Sequence, residues 1–142
     1  MKGFPMSRLH AAVAALLIAA PTPFAVAEAH HSFAMFDPSK TVTLNGSVQE
    51  FRWVNPHVAL FVLANAGAGA PPELWSVELT SPGNLTKIGW TRKSLKPGDR
   101  VAVEVNPLRN GQHGGGFRKV TLLDTGEVLQ ARLIDIEKAA QK

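Results

Sequence analysis

Leu74-Trp75-Ser76-Val77-Glu78-Leu79 runs almost directly into Ser81-Pro82-Gly83-Asn84-Leu85-Thr86-Lys87-Ile88-Gly89-Trp90, and this pair of segments decides the fold. The first alternates apolar and polar residues with period two, so Trp75, Val77 and Leu79 share one face of a strand and Ser76 and Glu78 the other. The second opens with Ser81 as a helix cap and Pro82 at the first helical position. It predicts one short helix inside a chain that otherwise reads as strands.

Upstream, Thr41-Val42-Thr43-Leu44-Asn45-Gly46-Ser47-Val48 alternates in the same way and continues through Trp53, with Gly46 read as a bulge or bend. Asn55-Pro56 then interrupts pairing, because proline has no N–H to donate. His57-Val58-Ala59-Leu60-Phe61-Val62-Leu63 is a second strand, apolar on both faces, and Asn65 to Pro72 is the loop that returns it. Downstream of the helix, Arg100-Val101-Ala102-Val103-Glu104-Val105 is a fourth strand. Asn106 to Gly116 reads as a mobile glycine-rich loop, and Phe117 to Leu123 turns through Asp124-Thr125-Gly126 into Glu127-Val128-Leu129. Three strands, a helix and two or three further strands predict a mainly β protein: a small Greek-key, OB-like barrel of five to six strands with the helix between strands 3 and 4 plugging an open end. A β-sandwich is the runner-up.

The chain opens with Lys2 and Arg8, the apolar run Ala11 to Ala20, then Pro21-Thr22-Pro23 and small residues, which is the pattern of a secretory signal peptide. The run is shorter than the ~20 apolar residues that span a bilayer, and no later segment is long enough, so the mature protein is expected to carry no transmembrane segment. Cleavage after Ala27 or after Ala29 satisfies the small-x-small rule, and the second leaves His30 as the first residue. The expected organisation is a leader at 1–29, one barrel domain at 30–129 and a C-terminal tail at 130–142, in the periplasm or secreted.

The leader takes Lys2, Arg8 and Glu28 with it, so 13 basic residues face 10 acidic ones, a net charge of +3. That excess is too small and too scattered for a nucleic-acid groove, and export removes that partner. The basic cluster Arg92-Lys93 with Lys96 reads as a solvated face. Cysteine is absent, which excludes disulfides and thiolate metal sites, so any metal must be held by His, Asp, Glu or main-chain groups.

Histidine placement is what remains. A free N-terminal His30 offers an α-amine and an imidazole nitrogen as a chelate, and a third nitrogen from His57, held at a strand start after a proline-stiffened turn, completes a set suited to copper. His31 is the alternative donor, although neighbours in extended chain point to opposite sides. Glu78 is either an outward-facing carboxylate or a partner for a ligating histidine, and His113 reads as exposed on its loop. Trp53, Trp75 and Trp90 read as core, with the lining of a binding surface as the alternative. No nucleophile–base arrangement, paired carboxylates or phosphate loop is present, so the site readings are binding readings: copper, or a metal-free surface for a partner protein of the cell envelope, a glycan or a small ligand. Oxidation on a histidine brace stays open, with no substrate clue.

His30-His31-Ser32-Phe33, Val42 to Val48, Trp53-Val54-Asn55-Pro56-His57, Trp75-Ser76-Val77-Glu78-Leu79, Ser81-Pro82-Gly83-Asn84-Leu85, Gly89-Trp90-Thr91 and Leu95-Lys96-Pro97-Gly98-Asp99 together resemble a bacterial exported family, domain of unknown function 6152. The resemblance runs from His30 to about Leu129 and implies a secreted or periplasmic location. It implies no mechanism. The His-His and Asn-Pro-His motifs of that pattern are both intact, which favours the metal reading.

Overall fold

The computed structural model describes residues 34–131. Its organising strand is β1 (Val42–Arg52), which is long enough to pair on both sides. Residues from Asn45 to Arg52 pair with β2 (Ala59–Asn65), and residues from Val42 to Ser47 pair with β4 (Arg100–Pro107), all antiparallel. Gly46 lies where the two ladders overlap, opposite Ala64 on one side and Val101 on the other. A Cβ there would stand 2.0 Å from the Leu63 carbonyl oxygen and 2.6 Å from Ala64 Cα, so only glycine permits this approach. The irregularity expected at Gly46 falls three residues later, where the register shifts between Val48 and Glu50. That shift changes which parity faces inward: Leu44 and Val48 are buried before it, and Phe51 packs on the core after it.

β3 (Glu73–Glu78) pairs antiparallel with β2 and then parallel with β5 (Gly114–Leu122), joining Ser76 to Gly114, Val77 to Gly115 and Glu78 to Gly116. With β4 antiparallel to β5, the circuit β1-β2-β3-β5-β4 closes. A sixth strand, β6 (Val128–Gln130), lies outside β5. The protein is therefore a mainly β, closed five-stranded mixed barrel with one extra strand, and the OB-like expectation holds.

Among the described residues the one helix, α1 (Pro82–Lys87), falls between β3 and β4 as its cap signals require. Ser81 Oγ accepts the Asn84 N–H at 3.3 Å, and Leu85 faces the core. Just beyond it Trp90 is buried edge-on to Phe117, with its indole N–H donated to the Gln130 carbonyl at 3.3 Å. Trp75 is buried too and Trp53 packs on the same core, as read from the sequence. Ala131 is also buried, so the barrel's packing extends past residue 129.

The expected mobile loop at 106–116 is largely strand. Asn106 and Pro107 belong to β4, and Gly114, Gly115 and Gly116 are buried in β5. Glycine serves crowding here: added Cβ atoms would meet Leu108 Cδ1 at 2.7 Å, Asn106 O at 2.7 Å and the Phe36 ring at 3.2 Å, in that order. The three residues that resemble a flexible linker are those on which barrel closure depends.

Candidate functional site

His57 stands in the connection between β1 and β2, just ahead of the β2 ladder. Its neighbour Val58 is fully buried and already locked to the chain beyond β3, donating its N–H to the Thr80 carbonyl (3.1 Å) and accepting from Leu79 N–H (2.8 Å). One residue further, Ala59 pairs with Glu78. Backbone pairing thus brings the start of β2 alongside the end of β3, and the side chains follow: His57 Nδ1 lies 2.6 Å from Glu78 Oε1. The side chains are 31% and 28% exposed, so the pair sits at the rim, neither in the core nor free in solvent. Glu78 Oε1 itself is shielded and has no hydrogen-bond partner of good geometry, because the short approach is off the N–H axis. Glu78 is one of the groups that His57 touches.

A second element reaches the same rim. Phe36 is buried and forms an isolated antiparallel bridge with Leu108, and its ring packs against Gly116, the glycine that pairs with Glu78. Arg109 donates its N–H to the Met35 carbonyl (2.9 Å) and its Nε–H to the Ala34 carbonyl (3.0 Å), while Asp37 N–H reaches the Pro107 carbonyl (2.9 Å). Residues 34–37 therefore form a strap tied to the β4–β5 connection. Asp37 helps to end it: the Ser39 hydroxyl first, then the Ser39 N–H and the charges of Arg109 and Lys40, hold its carboxyl below the ordinary value against the opposing effect of desolvation. Between strap and barrel lies an open cavity of about 250 Å³, bordered by Met35, Phe36, Ser76, Glu78, His113 and Gly115. Met35 and Phe36 of the strap border this cavity together with Glu78, and Glu78 also touches His57.

His113 is exposed in the connection just before β5, as read from the sequence, and it is held there by several contacts. Its carbonyl accepts the Ser76 N–H (3.1 Å), its ring leans on Trp75 with centroids 5.2 Å apart, and Nδ1 is 3.8 Å from Glu73 Oε2. About half its side chain is exposed. It is directed to the Glu73 end of β3, whereas His57 is at the Glu78 end, so the two imidazoles are assigned to different ends of one strand. The Arg92-Lys93 stretch is exposed, as read from the sequence, and with Lys96 borders an open groove that also holds Phe51 and Leu95.

His30 and His31, the expected N-terminal ligands, lie outside the described residues, as do the expected leader and most of the tail. Among the described residues no three His, Asp or Glu side chains are gathered as a metal-binding group. Those residues provide one imidazole backed by one carboxylate, a combination that suits a metal ligand and its supporting partner. The strap was missed from sequence. Its signal was Phe33-Ala34-Met35-Phe36 ahead of an Asp-Pro turn, too short for a periodicity to declare it structural.

The chain belongs to a family of unknown function, DUF6152, whose model matches residues 17–117. The match takes in His30, His31, His57, Glu78 and His113. No curated protein and no solved structure matches the chain.

Proposed function

We propose that the mature protein is an exported, periplasmic barrel that binds copper, with the α-amine and imidazole of His30 as a chelate and His57 as the third nitrogen donor. His31 is the alternative imidazole. The role is binding, buffering or delivery of the ion. The observation that carries this reading is the course of the strap: residues 34–36 are tied to the rim at the cavity that Glu78 borders, and Glu78 touches His57. His30 is four residues before Ala34, and four residues of extended chain span up to about 14 Å. The reading requires the mature terminus to reach His57 from Ala34 within that length. Imidazole and amine nitrogens suit Cu(II), which also stands highest among the divalent first-row ions in affinity.

Intact-mass measurement of protein recovered from the periplasm tests the terminus, which should be His30. Titration with Cu(II) followed by EPR should then show one bound ion with nitrogen hyperfine coupling, and His57→Ala should bind it far more weakly. A mature terminus at Glu28, or bound copper without nitrogen coupling, sinks the reading.

A metal-free binding module is supported by a different feature. On the outer surface of β2 and β3, Leu63 and Leu74 are direct cross-strand partners, both 40% or more exposed, with Phe61 beside them under the Arg52 guanidinium. The corresponding surface of OB-like barrels is a common ligand face. A partner protein, envelope glycan or small ligand bound there would survive His57→Ala and be lost in Leu63→Ser with Leu74→Ser.

A further inference from the structure

We infer that the turn between α1 and β4 is a docking surface for a bilayer that carries anionic phospholipid. This surface is separate from the histidine site and does not depend on the copper reading.

Residues 79–98 hold Lys87, Arg92, Lys93 and Lys96 and not one Asp or Glu. The fold presents the last three of these cations on a well-braced turn. Thr91 N–H donates to Ser94 Oγ (2.9 Å), Ser94 N–H to the Thr91 carbonyl (3.0 Å), and Lys96 N–H to the Asp99 carboxylate (2.9 Å). Val48 of β1 clasps the end of the turn, accepting from Gly98 N–H and donating to the Asp99 carbonyl, both at 2.9 Å. Leu95 is buried in the core, and Arg92, Lys93 and Lys96 are left exposed around it. Together they border an open groove of about 470 Å³ whose apolar members are Phe51, Leu95 and Pro97. The acid in that groove, Glu50, is already held by Arg52 through two bonds of 2.8 and 2.9 Å. Among the described residues none of the three cations is ion-paired. A second groove that Lys93 and Lys96 also border mixes signs, with Asp99, Asp124 and Glu127 beside Arg100, so the positive face is the one that includes Phe51.

Charge complementarity and the apolar floor together choose the occupant. Exposed, flexible cations hold a single phosphate poorly, because each long side chain loses rotamer freedom for one screened contact. A surface that bears many charges rewards them jointly, by about fivefold in partitioning for each Lys or Arg near it. Phe51 and Pro97 then have a place at the boundary between headgroups and acyl chains. A nucleic acid fits less well, since the Phe51 ring is already engaged by Trp53 and Trp90, with centroids 5.7 and 6.2 Å away, and is not the open platform that base stacking uses.

The test is sedimentation of the protein, as the cell processes it, with vesicles of phosphatidylcholine containing about one-third phosphatidylglycerol, and with vesicles of phosphatidylcholine alone. The parent should bind the first and not the second, and should be released as salt rises from about 0.1 M, where the screening length is about 10 Å, to about 1 M, where it is about 3 Å. Replacing Arg92, Lys93 and Lys96 by Gln together should weaken partitioning by about 100-fold, while Lys40→Gln with Lys119→Gln, whose charges already face Asp37 and Glu104, should stay close to the parent. Circular dichroism melting checks that both variants keep the fold. Equal binding to the two kinds of vesicle, parent-like binding by the triple variant, or the same loss in the Lys40 and Lys119 control overturns the inference. So does release by millimolar inorganic phosphate, which would mark a discrete phosphate site, or tighter binding to a single-stranded DNA oligonucleotide than to the anionic vesicles.

Discussion

Gly46→Ala places one methyl group where two strands nearly touch. Its Cβ would begin 2.0 Å from the Leu63 carbonyl oxygen, 2.6 Å from Ala64 Cα and 2.8 Å from Ala64 Cβ, whereas ordinary contact starts near 3.4 Å. Relief therefore needs a retreat of about 1.4 Å by backbone, with no flexible side chain to give way. The retreating segment is β2, which is held on its far side by β3, while β1 is held by β4. Overpacking of this kind costs about 1–3 kcal/mol, and a backbone obstacle in a closed circuit places this site at the upper end. The lower unfolded-state entropy of alanine returns about 0.4–1 kcal/mol, so a net loss of roughly 2–3 kcal/mol is expected. For a domain of this size that corresponds to a fall in melting temperature of about 10–20 °C. Urea unfolding followed by circular dichroism measures it. Gly67→Ala is the control, since nothing lies within 4 Å of its Cβ, and it should be neutral or slightly stabilising. A Gly46→Ala protein as stable as the parent would refute the claim that close strand approach dictates this glycine.

Gly116→Ala brings a Cβ to 3.2 Å from the Phe36 ring, so it should loosen the strap before the barrel. Hydrogen exchange at Asp37 and Arg109 amides should rise more than exchange in β1, and equal protection in both would contradict this. The carboxyl of Asp37 is held below its ordinary value in the fold, so its contribution to stability is complete above the unfolded value near 3.8 and is lost as pH falls through the lower folded value. Asp37→Asn should therefore flatten the acid side of the stability profile below about pH 4, and urea midpoints across pH 2 to 7 check it. Ser81→Ala removes the cap on α1, and because the accepted bond is long at 3.3 Å the loss should lie near the low end of the usual range, about 0.5–1 kcal/mol by urea unfolding.

The order and kind of the elements are legible in the sequence, because those rest on local physics. Alternation in Leu74 to Leu79 marked a strand with Trp75 and Val77 inside, and a serine followed by proline marked the helix that separates β3 from β4. Buried tryptophans were legible for the same reason, since a large apolar side chain on the inward parity of a strand has little alternative. Features that depend on pairing between distant segments are set by the folded chain and have no local signal. Gly114 to Gly116 have the composition of a linker, and they are strand because β3, β4 and Phe36 crowd them from several sides. His57 and Glu78 are 21 positions apart, and nothing local sets the β2–β3 register that brings Nδ1 and Oε1 together. A shift of one residue would have turned Glu78 to the opposite face, away from the histidine, because side chains alternate along a strand.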